Sequence, residues 1–299
     1  MPICTSDKNT PAHPPPSQTP LPEQFSDNSK FVARQNKLWK EHHSANEPQE
    51  IRCKFVNNHP DPQYDERIKG LVQKWVKEWE LYAFIYFRFV GKTEAAHIRI
   101  EFADDNTASS AIGTDAITLR ANSKEKTIEE LMQSLIPSMH FGDFSRDPKK
   151  MPEDLPDDQI HEVGKDCART TVLHEFGHAL GLYHEHANPK ALFVLSAGML
   201  ENHNNQPVKG SAGDKVNVSA FDLWSIMRYP LGEKAVDWDK SRAATGMNSQ
   251  EWLKYKKDLR IRPIRLSEGD KVWAITAYSG KSHPELDAAR AKWAGTIEG

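Results

Sequence analysis

The stretch Val172-Leu173-His174-Glu175-Phe176-Gly177-His178-Ala179-Leu180-Gly181-Leu182-Tyr183-His184-Glu185 decides how this chain is read. It spells H-E-x-x-H-x-x-G-x-x-H. On a helix, His174 and His178 leave the same face one turn apart, so both imidazoles can reach one Zn²⁺ at about 2 Å. Glu175 stands beside them, within reach of a water on the metal without being a ligand. Gly181 tolerates a left-handed backbone, so the helix can stop and the chain can turn sharply. That turn delivers His184 as a third ligand. Three protein ligands leave one position open for water, the pattern of a catalytic rather than a structural zinc. The five fixed residues arise by chance in fewer than roughly one chain in 10⁴. Around them Val172, Leu173, Phe176, Ala179, Leu180 and Leu182 make the helix apolar nearly all round. Two histidines and a glutamate in such a segment need partners. A metal supplies them.

Working outward, the motif resembles that of the metzincins, which requires a methionine turn downstream. Ser225-Ile226-Met227-Arg228-Tyr229-Pro230 provides one. With His184-Glu185 and Ser225-Ile226-Met227-x-Tyr229 together, the chain is similar to the astacin family of zinc endopeptidases, most of all to disulfide-free microbial members. Weaker pieces follow in the family's order: Ala96 to Phe102, Ile112-Gly113-Thr114-Asp115-Ala116, Pro137 to Gly142 and Leu266 to Lys271. The resemblance runs roughly from Phe31 to Ser279.

This resemblance implies an α+β, metzincin or zincin-like fold. Its parts are an N-terminal twisted mixed sheet with two long helices, a zinc cleft and an irregular C-terminal lobe ending in a helix. Residues 31–181 would form the first catalytic subdomain and 182–280 the second. One catalytic Zn²⁺ is implied, with a peptide or protein as substrate. Held by three neutral imidazoles, such a metal lowers the pKa of bound water toward about 7. Glu175 would take the water's proton and return it to the leaving amine. Tyr229 matches the family's tyrosine that ligates zinc at rest and then hydrogen-bonds the tetrahedral intermediate. Met227 would floor the imidazoles, and Glu185 would serve a structural role behind the ligands. The segment Thr107 to Leu119 corresponds to an edge strand above the cleft that pairs with extended substrate. Ser109, Ser110, Ala111 and Ile112 stand there, without the aromatic residues the family often has. Arg228 replaces the family's usual histidine; the plain reading is a solvated side chain pointing away, and the sharper one a fixed cation on the S1′ wall that would favour acidic residues after the scissile bond.

At 299 residues the chain can bury a sizeable core. A net charge of −3 with mixed signs gives no case for nucleic acid or a membrane surface. A monomer is expected. Cys4, Cys53 and Cys167 make no disulfide framework, and Cys167 reads as a buried thiol two helical turns before His174. The first residues lack an apolar signal core, and no run is long enough to span a bilayer. The compartment is therefore cytoplasmic by default, or secreted if the natural chain starts elsewhere. Residues 1–30 are Pro-, Ser- and Thr-rich and read as a disordered tail, residues 281–299 as a second tail.

Between these, Ile51 to Val56 alternates as a strand. Asp65 to Tyr82 carries the helical stripe Ile68, Leu71, Val72, Trp75, Val76, Trp79 and Tyr82. Ile85 to Val90 and His97 to Phe102 read as strands, with His97 at a strand end and without a metal role. Thr127 to Leu135 reads as a short inserted helix, and Met139 to Phe141 as the last strand before the zinc helix. Beyond Gly181 little regular pattern is visible, and Asn202 to Gly213 is a polar loop. Ser267 then caps a last helix with Asp270 at its third position, while Pro284 to Ala294 either adds a terminal helix or frays. His161, His186 and His203 are further candidate ligands, although His186 reads as solvated or as a support behind the metal.

A non-catalytic zinc-binding scaffold is the rival reading, and the presence of Glu175 speaks against it. Tyr229 and Glu185 argue against a matrixin, and no glycine- and aspartate-rich repeat marks a serralysin.

Overall fold

The computed structural model describes residues 32–39, 47–60, 62, 65–103, 105, 107–118, 127–142, 165–201, 216–218 and 220–278. In chain order these form β1 (Val32–Arg34), β2 (Gln49–Phe55), α1 (Asp65–Glu80), β3 (Ile85–Phe89), β4 (Ile98–Phe102), β5 (Ala108–Ser110), α2 (Asp115–Thr118), α3 (Ile128–Gln133), β6 (Met139–Phe141) and α4 (Lys165–Ala179). After α4 come α5 (Ala197–Leu200), β7 (Val216–Val218), α6 (Trp238–Thr245), α7 (Ser249–Arg260) and α8 (Glu268–Ala277).

The main sheet has the order β3-β2-β4-β6-β5. β3, β2, β4 and β6 are parallel, and β5 runs antiparallel at the edge beside β6. A parallel strand covered on both faces should be apolar throughout rather than alternating. β4 departs from this rule, since Ile98, Ile100 and Phe102 are buried on one face while Arg99 is buried and Glu101 half-buried on the other. Arg99 survives there because its guanidinium donates to the carbonyls of Ile136 (2.6 Å) and Ala116 (2.6 Å). It thereby ties α2 and the approach to β6 onto the sheet. α1 buries the stripe Ile68, Val72, Trp75, Val76 and Trp79. Trp79 also satisfies its indole N–H on the Leu173 carbonyl of α4 at 3.1 Å. The two long helices and the mixed sheet expected from the sequence are thus present.

Several expectations shift. The edge strand is shorter than Thr107 to Leu119, because Gly113 takes φ 52° and Asp115–Thr118 winds into a helix. Gly113 also packs against the Lys37 carbonyl where a Cβ would stand. Ser109 and Ser110 lie at or beside the ladder, while Ala111 and Ile112 follow it, Ala111 N–H still donating to the Ser138 carbonyl at 2.8 Å. Cys53 is a buried, unpaired thiol. The side chain of Cys167, the two tails, the Asn202–Gly213 loop, His161 and His203 lie outside the described residues.

The chain beyond Gly181 is more helical than its sequence pattern suggested. α6 is capped by Asp237 and stops at Gly246 with φ 64°. α7 opens on a capping box of Asn248 and Glu251. These helices gather a small core of Phe193, Leu195, Leu231, Val236 and Leu259. α8 instead joins the large core around the sheet, α1 and α4 through Trp273 and Ala274, with Tyr278 just beyond it. An unforeseen two-stranded ladder pairs β1 with β7, and Ala33 adds a bridge to Leu182 just past the helix turn. Among the described residues no helix is long and apolar enough to cross a membrane.

Candidate metal centre

α4 ends as the sequence predicts. Leu182 N–H returns to the Gly177 carbonyl at 3.0 Å and Gly181 N–H to His178 at 2.8 Å, with Gly181 at φ 112°. This pair of bonds is the Schellman closure of a helix. Further donors reach the carbonyls at this end from other segments. The Trp39 indole donates to Ala179 (2.7 Å), the Tyr278 hydroxyl to Leu180 (2.6 Å) and Gly113 N–H to His178 (2.9 Å). Helix, sheet edge and α8 therefore hold the turn together.

His174, His178 and His184 converge, each offering a nitrogen within 4.8 Å of the others. His174 Nδ1 donates to the Ile226 carbonyl at 2.8 Å, and His178 Nδ1 donates to the Leu182 carbonyl at 2.8 Å. A carbonyl only accepts, so both neutral rings carry their proton on Nδ1 and present an Nε2 lone pair. His178 and His184 turn their Nε2 atoms toward each other at 3.0 Å. His174 Nε2 is buried without a hydrogen-bond partner. Converging ring nitrogens in a buried site suit a cation, and three imidazoles suit zinc. Burial, followed by the neighbouring His178, holds His174 well below its ordinary pKa, and burial pulls His178 down to about 4. Both rings are neutral, as ligands must be.

Glu175 is buried, at 3% exposure. Met227 lies directly under α4: a Cβ at Gly177 would run into its Sδ, so a larger residue there would push the methionine side chain aside. Tyr229 is half-buried and stacks on His174 (centroids 5.2 Å apart, planes at 19°), with its centroid 4.5 Å from that of His184. It therefore sits against the ligand rings rather than behind them. His186 is buried, not solvated, and stacks on His184 (4.7 Å) and Tyr229 (4.9 Å). Glu185 turns away from the metal position, accepting from Asn188 Nδ2 and from the Asp222 N–H, both at 2.8 Å. Burial pushes its pKa up to about 8, against those two bonds.

Arg228 corrects an expectation. Its guanidinium is neither solvated nor lining a pocket for acidic substrate residues. It is 1% exposed and donates to the carbonyls of Leu223, Leu259 and Ile261, each at 2.6 Å, and Tyr229 at 2.8 Å. Two of these carbonyls lie at the end of α7, where a cation also meets the negative end of the helix dipole. Arg228→Met takes a donor from the part-buried carbonyls of Leu223, Tyr229 and Ile261, at about 1 kcal/mol or more each, while the Leu259 carbonyl keeps the Leu231 N–H. A urea-denaturation midpoint should fall by the equivalent of at least about 2 kcal/mol, and Arg228→Lys should not restore it because the planar fork is lost. A midpoint within error of wild type would remove this role.

Sequence reasoning missed Trp39, Asn188, Asp222 and Tyr278. Trp39, Asp222 and Tyr278 act through bonds to residues distant in the chain, which no local pattern signals, whereas Asn188 reaches Glu185 only three residues back.

Helix, glycine turn and methionine turn meet at the three imidazoles on a mixed-sheet lobe, the arrangement that defines a metzincin. The family model described as Astacin (Peptidase family M12A) matches residues 155–278. The zinc metalloproteinase nas-36 of Brugia malayi is 31% identical over 80 residues, which cover 25% of this chain and 14% of that protein. The solved structure of myroilysin matches with a TM-score of 0.54 at 21% identity, covering 84% of this chain and 100% of that one. That likeness concerns fold. The chain is astacin-like, and zinc is the metal its three histidines fit.

Proposed function

We propose that this chain is a zinc-dependent endopeptidase acting on peptide or protein substrates as a monomer. The observation that carries this reading is the buried three-imidazole cluster with Glu175 beside it in the same helix turn. When bound, zinc supplies a Lewis acid and makes water acidic enough to attack near neutral pH. His174, His178 and His184 would hold it. Glu175 then takes the attacking water's proton and hands it to the departing amine. The Tyr229 phenol donates to the oxyanion that develops on the scissile carbonyl. Met227 and Gly177 keep the floor beneath the ligands, and Gly181 and Glu185 hold the turn that brings in His184. Ser109 and Ser110 on the β5 edge, continued by Ala111 and Ile112, offer backbone to an extended peptide. The short ladder and absent aromatics make this recognition mainly a matter of main chain.

A peptide library tests the activity. Cleavage should disappear with a chelator and return on adding zinc. Persistent cleavage after zinc removal, or none with zinc bound in full, would overturn the assignment and favour a zinc-binding scaffold.

A further inference from the structure

The His174 ring is not held by an isolated carbonyl. Its Nδ1–H donates to the Ile226 carbonyl at 2.8 Å, and the N–H at the other end of that peptide, on Met227, donates to Ser225 Oγ at 3.0 Å. Ser225 Oγ in turn donates to Asp270 Oδ1 at 2.7 Å. The second Asp270 oxygen accepts from Ile226 N–H (2.8 Å) and Ser267 N–H (2.9 Å). Asp270 is 1% exposed and Ser225 is 2% exposed. Every donor in this series points the same way, from imidazole through one peptide group and one hydroxyl to a buried carboxylate.

We propose that Ser225 and Asp270 are positioning residues for His174, acting through the Ile226–Met227 peptide to orient the ring and strengthen Nε2 as a donor to the metal. Hydrogen bonds in series polarise one another. A carboxylate makes the serine oxygen a better acceptor, which makes the peptide N–H a better donor and its carbonyl more negative. A more negative carbonyl draws the Nδ1 proton and leaves more electron density on Nε2. A carboxylate that contacts a ligand histidine directly raises its basicity in this way; here a serine and a peptide intervene. Asp270 also belongs to the capping box of α8 with Ser267, and Ser267 Oγ donates to Asp222 at 2.6 Å. The carboxylate is thereby fixed by a helix start rather than by a mobile loop.

The inference rests on the zinc-site reading but not on peptide cleavage, so its test measures zinc. Chelator competition on the full chain compares wild type, Ser225→Ala, Asp270→Asn and the double variant. Each single change is expected to weaken zinc binding by about tenfold or more, the scale of lost outer-shell partners. The double variant should lose little beyond the worse single one, because both break the same series. The cobalt(II)-substituted protein should show a shifted visible absorption band in each variant. A purely structural role would lower thermal stability and leave zinc affinity within about twofold of wild type, well short of that scale, and that result overturns the proposal. So do losses that add in full. Should Asp270→Asn fail to fold, Ser225→Ala decides alone, since the carboxylate then keeps its two backbone donors. Relay-dependent zinc binding without any peptide cleavage would refute the proposed activity and leave this inference standing. A wild-type chain that takes up no zinc would end both.

Discussion

Glu175→Gln is expected to keep about one equivalent of zinc while peptide hydrolysis falls at least about 10²-fold, the scale of lost general-base catalysis. The substitution preserves shape and removes only the capacity to accept a proton. Glu175 lies between the two helical ligands in sequence and is buried with them, so it acts where water is largely excluded and a charge is felt strongly. None of the three converging nitrogens comes from it, which is why the metal should stay. The acidic limb of the kcat/KM profile reports the base in the free enzyme, and the residual activity of the variant should lack that limb. Zinc content by atomic absorption, steady-state rates and the pH profile together check the assignment. Loss of zinc, or activity close to wild type, would falsify it.

The metal site was legible because its information is local. Two ligands and the base share one helical turn, and Gly181 signals the stop that brings His184 back. The observed φ of 112° at Gly181 bears out that reading. Ser267 and Asp270 were equally legible as a helix start, for a capping box is written within four residues. α7 carries the same kind of signal in Asn248 and Glu251, with Gly246 closing the helix before it. That signal lay in the sequence and went unread, because few apolar residues flank it and burial there is sparse: Trp252 and Leu259 are the buried residues of the helix.

What stayed hidden depends on contacts between distant segments. β1 finds β7 across most of the chain, and three-residue strands leave no periodicity to detect. Arg228 illustrates the limit most clearly. A charged residue beside a cleft reads as a surface group, since burying a charge without partners is costly. The structure shows four carbonyls gathered around it at 2.6–2.8 Å, two of them from the end of a helix the sequence had not revealed. The second use of Asp270 is of the same kind. Its capping role could be read, whereas its bonds to Ser225 and Ile226 required the fold.

Tyr229→Phe is expected to lower kcat by roughly 10²–10³, the range for one lost oxyanion donor, or about 2.7–4 kcal/mol. The aromatic ring stays, so its stacking on His174 and His184 is preserved, and only the hydroxyl is removed. A bond made in the transition state alone should lower kcat and kcat/KM together, with KM little changed. Zinc should remain, because His174, His178 and His184 are untouched. A phosphinic mimic of the tetrahedral state should bind the variant less tightly by a similar free energy, whereas a substrate-like peptide should not distinguish the two proteins. Kinetics and inhibitor affinity must be measured at matched zinc content, since the tyrosine touches two ligand rings and a change in metal loading would imitate a change in chemistry. A kcat within about threefold of wild type, far below the scale of an oxyanion donor, would reduce Tyr229 to a packing residue. The oxyanion would then have to be met by the metal alone.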